Sequence, residues 1–547
     1  MSRAQTGCAN RALLNTVSVA AVAACLALAS SPTLAADQPA PGPSDVASLR
    51  AQVAALSTLV QSMSQRDQQQ IQALSDQVKA LQGRLAQQEA VATTVQTATP
   101  RAVQNATDEV LVQAGQPTPG ARTAEPRITQ NSSHRLAFQS ADGQYSIGFT
   151  GDIQFDSGGY INFHPDSKVV GPQELSDGVN ARRARIGVTG TAAGNWGFAL
   201  VYDAGNSQDT APKGIETAQL IYSGLSGAAF ELGYSNTFFT LDQSTSSNDT
   251  LFLERASPSN IATNFNTGDA RTNAGVRFFG DRYWVGGYLT GPASGDSHTL
   301  TAERFGAFER VAVQAFKGDG YSVHLGVGVD QLLQAPNSGN GTANAVSLSD
   351  QPELRVDPTT FLNTGTIGTL ANPVTGGWVL DLESAATWRN LFYQGEYYDY
   401  HVDRRGLHND QFDGWYGQVS WTLTGESHAY NPQAASYFRI APKNPFSIAQ
   451  GGWGAWELAA RYSYVNLNSN FEPGTSLVGA PAAVDGGQQR AATQGLNWYP
   501  NDMVRFLVDY SHVDYQKANG AAVKGAPLGT PVGAKFDTVA VRAQVAY

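Results

Sequence analysis

The last thirteen residues, KFDTVAVRAQVAY (535–547), alternate apolar with polar to the end of the chain. Val539, Val541, Ala543, Val545 and Tyr547 fall on one side of an extended strand, and Ala540, Arg542, Gln544 and Ala546 on the other. Successive strand side chains point to opposite faces, so such a strand can turn one face to lipid and the other to water. The pattern recurs upstream. In 144–156, Tyr145, Ile147, Phe149, Gly151, Ile153 and Phe155 share one side, opposite Ser146, Gly148, Thr150, Asp152, Gln154 and Asp156. Period two over that length is not a helical pattern. Further candidate strands are 179–190, 195–203, 214–223, 227–235, 271–280, 282–290, 307–316 and 321–330. They continue with 376–388, 389–400, 411–423, 453–467, 487–499, 502–515 and 535–547. The expected fold is all-β, a sixteen-stranded antiparallel transmembrane β-barrel over 140–547 with an N-terminal coiled-coil helix.

The connections alternate long and short: 157–178 then 191–194, 204–213 then 224–226, 236–270 then 281, 291–306 then 317–320. The long stretch 331–375 precedes a link of almost nothing. Long outer loops and short periplasmic turns are the habit of outer-membrane barrels. The link 424–452 breaks the rule: it is long on the short-turn side, where folding into the pore would accommodate it.

No run of about 18 apolar residues follows the N-terminus, so no mature membrane-spanning helix is expected, which a barrel does not need. A formal charge of −11 argues against a nucleic-acid partner. Residues 1–35 read as a signal peptide: Arg3 and Arg11 precede the apolar stretch Ala12 to Ala29, and Thr33-Leu34-Ala35 or Leu34-Ala35-Ala36 offers a cleavage site. Cys8 and Cys25, the two cysteines, would leave with it, although Val22-Ala23-Ala24-Cys25 also resembles a lipoprotein cleavage box.

Residues 36–91 hold a Pro-rich linker and then a heptad seam. Val46, Val53 and Val60 take one core position and Leu49, Leu56 and Met63 the other. After a polar break the seam resumes at Ile71, Leu74, Val78, Leu81 and Leu85, shifted by a four-residue stutter. A helix of about forty residues would reach roughly 60 Å. The narrow seam with Gln- and Ser-rich flanks favours a periplasmic coiled coil over a lone amphipathic helix, and 92–139 reads as a flexible linker.

From about 140 onward the chain resembles the phosphate-selective porins of the O and P type. The likeness rests on ARRARIGVTG (181–190), NDTLFLERASPSN (248–260), QPELRVD (351–357), GWYGQVSWTLTGE (414–426), GGWGAWELAARYSYVNLN (451–468) and QGLNWYPN (494–501), in that order. The resemblance implies a homotrimer of sixteen-stranded barrels in the outer-membrane lipid of a Gram-negative bacterium. Infolded loops narrow each barrel, basic residues line it, and small anions such as phosphate are the expected permeants. Val at one heptad position with Leu at the other favours two strands instead, which leaves the oligomeric state of the coiled coil open.

The same alternation turns Arg183, Arg185, Arg277, Arg461 and Arg542 to the lumen, where guanidiniums offer forked donors to anions. Pairing with lumenal carboxylates, as mere braces, is the alternative. The candidate pore-lining set is Arg182, Arg183, Arg185, Arg255, Arg271, Arg277 and Arg461, with Asp242, Asp249 and Glu254. The third long loop departs from the family. Ser235 to Ala270 has no lysine, one arginine (Arg255), and the acids Asp242, Asp249, Glu254 and Asp269. That weakens the case for strict phosphate selectivity and leaves a general diffusion or sugar porin as the alternative. The histidines make no metal-ligand spacing and no nucleophile is set beside a base, so neither catalytic residue, metal nor cofactor is expected. A further reading is a tether from the outer membrane to peptidoglycan through 46–91.

Overall fold

The computed structural model describes residues 127–130 and 136–547, apart from 169–170, 206–213, 267, 294–301, 340, 472–476, 478–479, 481 and 520–526. The expected signal peptide, the coiled-coil segment and most of the linker lie outside the described residues. Where the linker ends, the structure differs: β1 (Arg127–Gln130) pairs with β2 (Leu136–Gln139), which pairs with the start of β3 (Ser146–Pro165). Four-residue strands are too short to show a legible alternation.

The chain then runs through β4 (Gly178–Ala192), β5 (Trp196–Asp203), β6 (Gly214–Tyr222), β7 (Ala228–Asn236), β8 (Ala270–Phe279), β9 (Tyr283–Thr290), β10 (Phe305–Gly318) and β11 (Tyr321–Gln334). After the two-residue strands β12 (Ser349–Asp350) and β13 (Leu362–Asn363) come β14 (Val374–Trp388), β15 (Leu391–Arg404) and β16 (Asp410–Thr422). The small pair β17 (Tyr430–Asn431) and β18 (Ser436–Tyr437) precedes β19 (Ala455–Ser469), β20 (Val484–Tyr499), β21 (Val504–Gln516) and β22 (Ala534–Ala546). Leaving aside β1, β2 and the two small hairpins, sixteen strands form one closed antiparallel barrel. All sixteen fall on the sequence-derived stretches.

Closure depends on the C-terminal strand. β22 pairs with β3 from Ala534 opposite Pro165 to Ala546 opposite Asp152, and Tyr547 exchanges backbone bonds of 2.9 and 3.0 Å with Gly151. No barrel edge is left open at this seam, which removes the unpaired donors and acceptors that lipid cannot satisfy. β2 pairs with residues 146–148 of β3, just beyond the end of β22.

Val539, Val541 and Val545 are exposed on the outside, whereas Ala540, Arg542, Gln544 and Ala546 are buried inside. The same division holds for Ile153 and Phe155 against Asp152, Gln154 and Asp156. Aromatics gather on the outer face near the short turns. Trp196, Tyr222 and Phe230 form one row and Trp456, Trp498 and Phe506 another, with ring centroids 4.9–6.4 Å apart. Such rings suit the level of the lipid headgroups.

β4 carries an irregularity that strict alternation does not foresee. Gln154 lies opposite Arg183 but Phe155 lies opposite Ala181, so Arg182 is an extra residue. The bulge turns both Arg182 and Arg183 inward, at 1% and 3% exposure.

Candidate functional site

Three links fold into the barrel. The β7–β8 link, residues 237–269, contains helices α1 (Leu241–Ser244) and α2 (Ser257–Phe265). Thr240 caps α1 by accepting a bond from the Gln243 amide (3.0 Å), and Pro258 sits in the first turn of α2, where its missing N–H is not needed. Ile261, Ala262 and Phe265 of α2 are buried in the main apolar cluster. The wall makes room for this link at two glycines: a Cβ on Gly414 would come within 2.7 Å of Pro258 Cβ, and one on Gly328 would collide with Phe239 O.

Between the helices the backbone is gripped by the last strands. Arg505 donates to Thr250 O (2.7 Å) and Leu251 O (3.3 Å), and Asn497 to Leu251 O (3.0 Å). Arg542 donates to Leu253 O (2.5 Å) and Arg461 to Glu254 O (2.8 Å), while Asp509 accepts from the Leu253 amide (2.8 Å). Charged donors on neutral carbonyls make strong bonds in a dry site.

Glu254 is the centre of this grip. Its two oxygens accept from Arg182 Nε (2.6 Å) and Nη2 (2.9 Å) as a fork, and Arg542 Nη2 adds a contact at 3.2 Å. Burial alone would raise its pKa, but the Arg182 guanidinium, with Arg542 and Arg355, outweighs that and holds the carboxyl at about 2. Asp242 meets Arg255 Nε at 3.0 Å and accepts from Ser259 Oγ at 2.6 Å. Asp249 lies 3.9 Å from Arg439, and burial pushes its pKa up.

The other candidate arginines reach acceptors on the wall or on other links. Arg183 donates to Gln154 Oε1 (2.8 Å), and Arg185 meets Asp203 (2.9 Å) and Glu216 (2.8 Å). Arg271 meets Asp330 (2.8 Å), Arg277 meets Glu231 (2.9 Å), and Arg461 meets Glu353 (2.6 Å). The inward direction derived from alternation holds for Arg183, Arg185 and Arg277. There they meet carboxylates and amide oxygens, whereas Ile186 is 61% exposed outside.

Residues 348–357 of the β11–β14 link form the second infolding. Glu353 accepts from Ser463 Oγ (2.6 Å) as well as from Arg461, and Tyr160 donates to Leu354 O (3.3 Å). Arg355 pairs with Asp350 at 2.7 Å, and burial, against that guanidinium, pushes Asp350 up to about 6. The third infolding is the β16–β19 link, the anomalous long link of the sequence. Arg310 donates to Ala434 O and Ala435 O, both at 2.8 Å, and to Ser244 Oγ of the first link, also at 2.8 Å. One wall arginine thus joins links that enter from opposite ends of the barrel. Arg310 was legible in principle, since Val311 and Val313 face out beside it, yet it is absent from the sequence-derived set.

Within this lumen a small polar cavity is lined by Arg182, Arg183, Arg255, Ser247, Asn260 and Asp269, among others. It brings together three of the candidate arginines with Glu254. Arg271, Arg277 and Arg461 are not among its lining residues.

Comparison with known proteins finds a matching family and several similar chains. A family model described as "Phosphate-selective porin O and P" matches residues 150–547. Porin O of Pseudomonas aeruginosa is 24% identical over 392 residues, covering 69% of this chain and 84% of that protein. A protein of Caulobacter vibrioides described as uncharacterised is 26% identical over 522 residues, covering 92% of each. Among solved structures, an anion-selective porin from Comamonas acidovorans aligns with a TM-score of 0.42 at 14% identity, covering 74% of this chain and 100% of that one.

Proposed function

From the premise that the chain belongs to the phosphate-selective porin O and P family, and is therefore an outer-membrane porin and not an enzyme, we propose that it passes small hydrophilic solutes with a weak preference for anions and no strict selectivity for phosphate. One observation carries this: the narrowing link 237–269 has no lysine, and the guanidiniums around it are bonded to carboxylates or carbonyls. A strong anion site needs donors whose charge is not already matched. Here Glu254 takes Arg182 and Arg542, and Asp203 and Glu216 take Arg185. Arginines so matched can tilt the pore only slightly towards anions and hold none of them. A recording of reversal potential across a salt gradient, with phosphate added as a competitor, tests the reading. A small anion-side potential with no phosphate block supports it; block by submillimolar phosphate refutes it.

The working unit we propose is a homotrimer, on the strength of the family resemblance. The heptad segment would stand in the periplasm and reach towards peptidoglycan through 46–91, a role added to transport. Crosslinking in intact cells, with and without residues 46–91, separates trimer formation by the barrel from trimer formation by the coiled coil.

A further inference from the structure

On the lumenal face of β14 and β15 three carboxylates meet. Asp381 and Glu383 project inward from β14, and Glu396 from β15, directly opposite Glu383 in the ladder. One oxygen from each lies within 4.8 Å of the others, and all three side chains are buried, at 0–4% exposure. Like charges placed opposite each other in a sheet repel, and burial sharpens that repulsion. The cation bonded to the group is Arg310, and it takes Glu383 at 3.0 Å, beside His324 at 3.1 Å. Glu396 accepts from the Leu241 amide (2.7 Å) and from Tyr416, both neutral donors. No N–H or neutral hydroxyl among the described residues bonds Asp381, whose hydrogen-bonding neighbour is the carboxyl of Glu396 itself. Three carboxylates therefore share one guanidinium.

A second, independent group lies at the same place. Tyr398 stands directly opposite Asp381 in the ladder, two residues from Glu396 on the same inward face, and is fully buried. Its hydroxyl has no partner among the described residues. A buried phenol is ordinarily hydrogen-bonded, so an orphaned hydroxyl across the ladder from a carboxyl whose neighbour is another carboxyl calls for a shared ligand. On the other side Asp381 faces Gly328, over which Phe239 O is packed, which adds a carbonyl oxygen to this patch.

We propose that Asp381, Glu383 and Glu396, with the Tyr398 hydroxyl, bind one calcium ion in the lumenal wall. The donors are all oxygen, which selects a hard cation. Magnesium keeps several of its waters, whereas calcium gives them up for about six to eight oxygens in flexible geometry, so a buried cage of carboxylates suits calcium. A divalent ion also matches the two carboxylates that Arg310 leaves uncompensated. The site stands whichever ion the pore prefers.

Terbium is the probe, because it replaces calcium and tyrosine sensitises its luminescence. The folded full-length chain in detergent should bind one terbium per chain, calcium should displace it, and magnesium should do so at least tenfold less well. Asp381→Asn should weaken binding at least tenfold, Tyr398→Phe should lower the sensitised emission, and Asp142→Asn, in an exposed turn, should change neither. If Asp381→Asn does not fold, Glu396→Gln carries the same expectation. Wild-type-like binding in Asp381→Asn or Glu396→Gln, or no saturable binding at one equivalent, overturns the proposal and leaves two of the carboxyls sharing a proton.

Discussion

Glu254 shows how much a single side chain can organise. Its carboxyl is forked onto Arg182 and touched by Arg542, so Glu254→Gln would leave two buried guanidiniums facing an amide. Breaking a buried pair in this way costs about 3–5 kcal/mol. The barrel itself should survive in Glu254→Gln, and the loss should appear as a looser link 237–269, read as higher and noisier single-channel conductance. Wild-type conductance in that variant would mean the backbone bonds alone hold the link. The pH response follows from the same group. Its folded pKa of about 2 lies below the ordinary carboxylate value of 4.5, so the ionised form stabilises the anchored link by roughly 3 kcal/mol. That contribution is complete above about pH 4.5 and is lost as pH falls from there through about 2. The share of current noise that Glu254 controls should therefore rise as pH falls below about 4.5, and that rise should be absent from Glu254→Gln.

At the scale of elements, each strand carries its own evidence. Alternation is local, which is why all sixteen barrel strands could be placed from sequence, and why the anomalous link after β16 stood out. Two things were not legible. The bulge that turns Arg182 inward leaves no mark in a run of polar residues. The infolded links bond to partners far along the chain, 207 residues from Arg461 to Glu254 and 289 from Arg542 to Leu253, and no local pattern encodes such contacts. Two experiments address the elements. Gly328→Val sets methyl groups against Phe239 O and should displace the first link at about 1–3 kcal/mol, again raising conductance, whereas Gly417→Ala, with nothing near its Cβ, should be silent. In liposomes a charged thiol reagent should modify Ser247→Cys, which lines the cavity, and spare Ile186→Cys on the outer face. Modification of Ile186→Cys would mean the register of β4 is slipped by one residue.

For the whole molecule the question is what a barrel so lined can distinguish. Its lumen holds many guanidiniums, yet most of them hold the links to the wall or meet a carboxylate. Counting lumenal arginines from sequence therefore overstates the field a permeating ion meets, and only the three-dimensional pairing reveals the balance. A homotrimer, if formed as proposed, would repeat the pore without changing its chemistry. The direct measurement is the zero-current potential of purified protein in a planar bilayer across a tenfold potassium chloride gradient, repeated with phosphate on both sides. A weakly selective anion pore gives a potential on the anion side, below half the ideal value, and a chloride current that millimolar phosphate leaves unchanged. A cation-side potential, or chloride current abolished by submillimolar phosphate, would contradict it.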